Sequence, residues 1–260
     1  MREVRLTQME NYIREHKSVS LETLCEVFGL SMNTVRRDVK DIIARTNIRK
    51  IYGGVSAQID SIPPSFSVRL GINAEAKALI GMYAAQMVED NDIIYIDSGT
   101  TTCQMVDYLH GKKNITIVTP SLDVINRAVS NPELTIVCLP GSLNRETFSF
   151  TDQTTIDALQ NCNIAKAFMA ANGITIQNGA TQSTPLEFAI KRSVVAHSSR
   201  VILMVESRKI GSASLYTYCS LKQINTIISE KQLATEFRTA FQDLGGTIVT
   251  PGRAPEPNGV

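Results

Sequence analysis

Apolar residues along the chain recur at two different periods, and the change of period divides it. Up to about residue 57 the spacing is helical. Leu6, Met9 and Ile13 fall on one helix face. Leu21, Leu24, Val27 and Phe28 make a second, shorter stripe, opened by Ser20, whose hydroxyl can cap a helix start. Gly29 ends that stripe and Ser31 can cap the next helix. In this third helix Val35, Val39, Ile42 and Ile43 share one face, and Asn33, Arg36, Arg37 and Lys40 share the opposite one. The following IRKIYGG predicts a short β-hairpin with Gly53 and Gly54 at its exit. Pro63, Pro64 and Gly71 mark residues 58–74 as a linker. The run KALIGMYAAQMV then predicts a helix beginning near residue 73. Beyond residue 92 come short, almost uninterrupted apolar runs: DIIYID, NITIVT, LTIVCLP, IAKAFMAA, RVILMVE, INTIIS and GTIVT. Helical stretches separate several of them, which predicts a mostly parallel sheet covered on both faces. The expected fold class is α/β. A small helical domain with a hairpin occupies residues 1–57, a Rossmann-like sheet domain residues 75–252, and a flexible tail residues 253–260.

Charge changes this picture in one respect. The chain of 260 residues has a net charge of +1, which argues neither for nor against a polyanionic partner. Its distribution does argue. Residues 1–58 hold 10 Lys/Arg against 7 Asp/Glu, and within 32–56 the balance is 6 against 2. A basic segment on a near-neutral chain predicts polyanion contact confined to one end. The five cysteines are scattered without a CxxC pair, so they read as buried thiols in a reducing, cytoplasmic setting. No run of 18 apolar residues occurs and the start lacks a leader pattern, so no membrane segment is expected. His16, His110 and His197 are far apart and lack metal-ligand spacing, so no metal site is expected.

Two helices, a tight turn and an exposed polar face on the second helix define a helix-turn-helix, and residues 20–43 supply all three. Ser31, Met32, Asn33 and Thr34 occupy the leading turn of the second helix, where side chains reach base edges in a major groove. Arg36, Arg37 and Lys40 follow on the outward face. Asn33 can read adenine, and either arginine can read guanine or neutralise phosphate. The hairpin with Arg49, Lys50 and Tyr52 would be a wing over the backbone or minor groove. The bland alternative is a solvated helix face. The capped turn, the two opposed faces and the basic hairpin together weigh against it.

The stretch IYIDSGTTTCQMVDYL carries the sharpest chemistry of the larger domain. A buried strand ends at Asp97, a small hydroxyl-rich turn follows (Ser98, Gly99, Thr100, Thr101, Thr102), and a helix is expected to start on it. Free amides at a helix start, with hydroxyls around them, form a phosphate cradle. Other predicted strand ends also carry small, polar or charged residues: Thr119 and Ser121; Gly141; Asn172 and Gly173; Glu206 and Lys209. Ligands of open α/β sheets bind at such ends. Lys209 reads equally as a second anion contact or as a surface lysine. Glu187 and Lys191, one helical turn apart, form either a surface pair or part of the pocket.

These motifs resemble one family. LSMNTVRRDVKDI followed by IRKIYGGV is similar to the DeoR-type helix-turn-helix, whose signature pairs S-x-x-T-[IV]-R-R-D-[LV] with a downstream R-x-x-G-G. The match runs through Ser31, Thr34, Val35, Arg36, Arg37, Asp38 and Val39, then Gly53 and Gly54. Asp38 is expected to pair with a neighbouring arginine and set its direction. Asn47 stands near a usual glycine, and Asn tolerates the left-handed turn. The larger domain resembles the DeoR effector domain, which is similar to ribose-5-phosphate isomerase and glucosamine-phosphate deaminase folds. The family's D-x-G-[ST]-T is matched at Asp97, Gly99, Thr100 and Thr101. Pro120 replaces an asparagine of its T-N-S, and Glu206 an aspartate of its D-x-S-K. The resemblance places Glu187 in the pocket.

The resemblance implies a winged helix-turn-helix regulator, a repressor of a carbohydrate-utilisation operon, with no cofactor. Its effector would be a phosphorylated sugar or a related small phosphate, its other partners double-stranded operator DNA and a homodimer or homotetramer. A sugar-phosphate isomerase with an appended DNA-binding head is the alternative, with Asp97 and Glu206 as candidate bases. A constitutive DNA reader with a vestigial pocket is a third.

Overall fold

The computed structural model describes residues 2–16, 18–46, 48–51, 53–57 and 65–251, which divide at Pro63/Pro64 into two compact units. The smaller unit holds α1 (Arg2–His16), β1 (Ser18–Ser20), α2 (Leu21–Phe28), α3 (Met32–Arg45), β2 (Arg49–Ile51) and β3 (Gly54–Ser56). The hairpin predicted from IRKIYGG is the antiparallel β2–β3 pair, and β1 adds a third strand against β3 that the sequence pattern did not announce. Both predicted caps form. The Ser20 hydroxyl accepts from Thr23 N at 3.0 Å and the Ser31 hydroxyl from Thr34 N at 3.4 Å. Gly29 closes α2 at φ 61, a left-handed conformation that favours glycine, and lets the chain turn directly into α3. Leu6, Met9, Ile13, Leu24, Val35, Val39 and Ile42 pack into this unit's core.

The larger unit begins with two helices, α4 (Phe66–Gly71) and α5 (Ala74–Gln86). The first of them falls within the stretch expected to be linker. The six-residue α4 offers only the Phe66–Leu70 pair at helical spacing, too short a stretch to read as a period, and packing of both against the core decides it. The chain then runs through β4 (Ile93–Ile96), a 3₁₀ helix (Thr102–Tyr108), β5 (Ile115–Thr119), α6 (Leu122–Ala128) and β6 (Leu134–Cys138). A small hairpin, β7 (Leu143–Asn144) and β8 (Ser149–Phe150), precedes α7 (Gln153–Leu159) and β9 (Ile164–Met169). Next come β10 (Gly173–Thr175), β11 (Gly179–Gln182), α8 (Pro185–Ala196), β12 (Ser198–Met204) and β13 (Tyr216–Cys219). The described chain closes with β14 (Thr226–Ile228), α9 (Thr235–Asp243) and β15 (Thr247–Val249).

Seven strands form the central sheet in the order β15-β14-β12-β9-β4-β5-β6, every pair parallel. Side chains alternate between its faces. Tyr95, Val118, Ala167 and Leu203 join one buried cluster, and Ile94, Ile96, Ile117, Phe168 and Ile202 the other. Burying each of the larger side chains contributes about 1.5–3 kcal/mol. Chain order fixes where a ligand belongs. From β4 the chain steps outward through β5 to β6, then returns to the other side of β4 as β9 and steps away through β12 and β14. The connections diverge between β4 and β9, and a crevice opens at the carboxyl ends of such a pair.

Candidate functional site

In the smaller unit α3 presents the predicted face. Asn33, Arg36, Arg37 and Lys40 are exposed while Val35, Val39 and Ile42 are buried behind them. Ser31 and Lys50 are exposed too, and Met32 and Thr34 are half-buried at the leading turn. Arg36, Arg37 and Lys40 make no ion pair among the described residues. Asp38 differs from expectation: its fully buried carboxylate takes Arg5 of α1 at 2.8 Å, not an arginine of its own helix. It fixes α3 against α1 and leaves Arg36 and Arg37 to solvent. Only the backbone of Arg49 is described, and Asn47 and Tyr52 lie outside the described residues.

In the larger unit Asp97 sits at the end of β4, at the divergence with β9. One carboxylate oxygen accepts from Ser98 N at 2.9 Å, the other from Ala170 N at 2.8 Å and from the Lys191 ammonium. Lys191 is itself buried, donates to Ala170 O at 3.0 Å, and lies 5.4 Å from the Tyr218 ring centroid. A buried carboxylate requires such partners. Here they lock the 97–101 turn onto the neighbouring strand end. A side chain at Gly99 would bring its Cβ to 2.5 Å from Ala170 Cβ, so the turn approaches β9 as closely as backbone allows. Beyond it the expected α-helix is a 3₁₀ helix, and Thr102 Oγ1 donates to Asp97 O at 2.6 Å. Among the described residues, the amides of Gly99, Thr100 and Thr101 and the hydroxyls of Ser98, Thr100 and Thr101 make no hydrogen bond. This is a concave row of donors at a strand end, chemically suited to an anion.

Cations gather around Glu206, at the end of a neighbouring strand. Lys77 of α5 is 1% exposed, and its ammonium donates to Arg69 O of α4. Lys209 donates to Ala171 O at 2.9 Å. Burial pushes the Lys209 ammonium down to about 8 against the pull of Glu206, with Arg208, Arg69 and Lys77 adding repulsion. Burial also lowers Lys77 and Arg69, although Glu206 attracts the first and Glu187 and Asp97 the second. Glu206 is the carboxylate inside this group. It accepts from Asn73 Nδ2 at 2.8 Å and Arg208 Nε at 2.9 Å. Burial alone would raise its pKa, but those hydrogen bonds and the charges of Arg208 and Lys209 hold it below the usual value. Lys77 is buried and Lys209 half-buried, neither makes an ion pair among the described residues, and such ammonium groups are stabilised by a counter-ion.

A pocket opens beside Asp97, walled by Tyr95, Pro120, Thr151, Glu187 and Lys191. The Tyr95 hydroxyl is fully buried and has no hydrogen-bond partner among the described residues. Burial, then the charges of Asp97 and Glu187, raises its pKa well above the ordinary value, so it stays a protonated donor. Glu187 is held by Gln182 and, at 2.9 Å, by Thr184 Oγ1.

Two family models cover most of the chain: the DeoR-like helix-turn-helix domain over residues 5–60 and the DeoR C terminal sensor domain over residues 72–231. The chain belongs to the DeoR family. The HTH-type transcriptional regulator IolR of Bacillus subtilis (strain 168) is 37% identical over 237 residues, 91% of this chain and 94% of that one. The HTH-type transcriptional repressor GlcR of the same organism is 26% identical over 88% of both chains. A D-ribose-5-phosphate isomerase solved in complex with phospho-erythronic acid aligns at TM-score 0.39 and 18% identity, over 53% of this chain and 54% of that one. The chain is thus a DNA-binding transcriptional regulator with a sensor domain, and no helix among the described residues is long and apolar enough to cross a membrane.

Within this DeoR-family sensor, several residues singled out from sequence are engaged in backbone structure. The Thr119 hydroxyl donates to Ile96 O at 2.7 Å and accepts from Ser121 N at 3.0 Å, and Ser121 caps α6. A Cβ on Gly141 would lie 2.7 Å from Thr155 Oγ1, and one on Gly173 would strike Ser212. Asn172 donates its amide N–H to Thr181 O at 2.9 Å. Sequence reading missed Arg69, Lys77, Tyr95 and Arg208 altogether, and for Lys191 it left a surface pair open. Arg69 stood in the presumed linker, and Lys77 looked like an ordinary helix charge. No local signal marked Lys77 or Lys191, since each lies in an ordinary helical stretch with another charge close by, Glu75 for the first and Arg192 for the second.

Proposed function

We propose that this DeoR-family regulator is a cytoplasmic repressor of carbohydrate-utilisation genes, and that a phosphorylated sugar held at the β4–β9 crevice controls its grip on operator DNA. The row of unbonded amides and hydroxyls at 98–101 beside the cations Lys77 and Lys209 carries this reading. The phosphate would lie on that row, and the sugar would extend toward Tyr95 and Glu187. Asn33 and the first turn of α3 would read bases, while Arg36, Arg37 and Lys40 would meet base edges or phosphates. Paired half-sites call for a homodimer or a larger even assembly. A non-catalytic pocket is favoured by the state of its two candidate bases. Asp97 is enclosed by Ser98, Ala170 and Lys191, and Glu206 by Asn73 and Arg208, so neither carboxylate is free to take a proton from substrate.

The test is fluorescence anisotropy with a labelled duplex from the region upstream of the gene, titrated with sugar phosphates and their unphosphorylated parents. At least one phosphate ester should shift operator affinity by about fivefold or more, and its parent sugar should not. A set of esters that binds the sensor without moving operator affinity would refute effector control.

A further inference from the structure

The central sheet has two outer edges of different character. At one, β15 is three residues long and Pro251, which has no amide hydrogen, follows shortly after. At the other, β6 is a five-residue strand, LTIVC, with no charge, proline or bulge within it, and no described strand pairs with its outer side. Soluble proteins blunt edges of this kind or pair them. Thr135, Val137 and Cys138 are exposed, Val137 at 42%. Val118, beside it in β5, is 4% exposed on the same sheet face, so the helical layer stops one strand short of the edge.

Hydrogen bonding decides which backbone groups of β6 point outward. Leu139 N donates to Thr119 O at 2.9 Å, and on the inner strand Thr116 N points the other way, to Asp92 O at 3.0 Å. In a parallel ladder bonding residues alternate. Thr135 and Val137 therefore bond to β5, and Leu134, Ile136 and Cys138 turn their N–H and C=O groups away from the sheet. Leu134 N is used in a turn with Asn131 O, which leaves the amides of Ile136 and Cys138 and the carbonyls of Leu134, Ile136 and Cys138. Apart from the Cys138 carbonyl, whose mate would be the occupied Leu134 amide, this set is self-complementary about Ile136. In an antiparallel pairing of two copies, Ile136 would exchange both bonds with its mate, and Cys138 N would donate to the mate's Leu134 O. Thr135 would face Val137, and no charged residues of the two strands would meet. Pro132 and Pro140 lie four residues to either side of Ile136, so each faces the other and the ladder ends symmetrically. Leu143, exposed shortly after the strand, adds apolar surface.

We propose that two copies of this chain pair antiparallel through their β6 edges across a two-fold axis at Ile136, joining two seven-stranded sheets into one. This rests on the reading of the chain as a homo-oligomer and names its interface. The partner is a second copy because strand, hydrogen-bond parity and proline spacing all map onto themselves under the same rotation.

The experiment uses the full chain with Cys138→Ser to remove the neighbouring thiol. Directly opposed hydrogen-bonded residues of an antiparallel pair have Cα atoms about 5.5 Å apart, within disulfide reach. Ile136→Cys in that background should form a covalent dimer under mild oxidation on the order of a hundredfold faster than Val129→Cys, an exposed collision control. Ile136→Pro removes an outward amide and leaves the β5 ladder intact, so it should halve the mass by light scattering while preserving the circular dichroism of the sensor. A wild-type chain that is monomeric at working concentration overturns both this interface and the homo-oligomer reading. An oligomer in which the Ile136→Cys variant cross-links no faster than the Val129→Cys variant overturns the interface alone.

Discussion

Tyr95 is an unusual choice of residue for the middle of a buried strand. A phenol sealed from water without an acceptor costs roughly 1–3 kcal/mol relative to a phenylalanine of the same shape. Its position on the wall beside Asp97 and Glu187 explains why the cost is tolerated: a sugar hydroxyl reaching that wall would give it a partner. Tyr95→Phe should therefore stabilise the ligand-free protein by about 1 kcal/mol in chemical denaturation and weaken effector binding by about tenfold. Loss of stability in the variant would mean that the hydroxyl has a structural acceptor, and the assignment would fail. Lys209 makes a pH-dependent counterpart. Its folded-state value of about 8 lies below the ordinary 10.5 because burial penalises the ammonium. Below about 8 the group is charged and attracts an anion; above it the ligand-free group is neutral. Sugar-phosphate affinity should fall as pH rises through this value, measured by calorimetry from about pH 7 to pH 9. Folding stability without ligand runs the other way. Between 8 and 10.5 the unfolded chain holds the proton more tightly than the folded one, so this group's contribution to stability rises with pH. Lys209→Met should flatten both trends.

At the scale of elements, α3 separates binding from support along one helix. Arg36 and Arg37 face solvent and hold nothing in place, so alanine at both should change stability by no more than about 0.5 kcal/mol. Operator affinity should fall, and the dependence of log affinity on log salt should flatten by about one unit for each phosphate that is no longer neutralised. Asp38 should behave oppositely. Asp38→Ala breaks the buried tie to Arg5 and costs on the order of 2 kcal/mol, seen as a lower melting temperature before any change in salt slope. Equal destabilisation by both changes would mean that α3 is held through its outer face. This helix was legible in sequence because its period is local: caps, turn and two faces all lie within residues 20–43. The 97–101 turn was legible for the same reason. The helix after it was not, since a 3₁₀ helix shows no 3.6-residue period, and Thr102 bonding to Asp97 O tightens its first turn. The cations were least legible. Lys77, Lys191 and Lys209 belong to elements that only the parallel topology brings to one crevice, and a lysine beside small residues has no sequence mark that separates a ligand contact from a solvated charge.

For the molecule as a whole the question is how an anion at a strand end can be felt at α3. Chain order supplies the means. The linker from the DNA-binding unit leads into α4 and α5, and these two helices carry Arg69, Asn73 and Lys77 into the crevice. An anion bound by Lys77 on one side and by the 98–101 row and Lys209 on the other would draw the first elements after the linker toward the strand ends. Asn73 stands at the corner of α4 and α5 with φ 54, a left-handed conformation Asn tolerates, and its side-chain amide donates to Glu206. It touches the corner and the cluster without being one of the cations, so it should govern transmission more than binding. Linkage requires effector and operator to change each other's affinity by one common factor. In the wild type that factor should be about 5–150, the same whether DNA binding is measured with effector present or effector binding with operator present. Asn73→Ala should keep effector affinity within about threefold while the factor drops several-fold in both directions. If the variant loses effector binding and keeps the factor, Asn73 belongs to the pocket, and the signal must leave the sensor by another element.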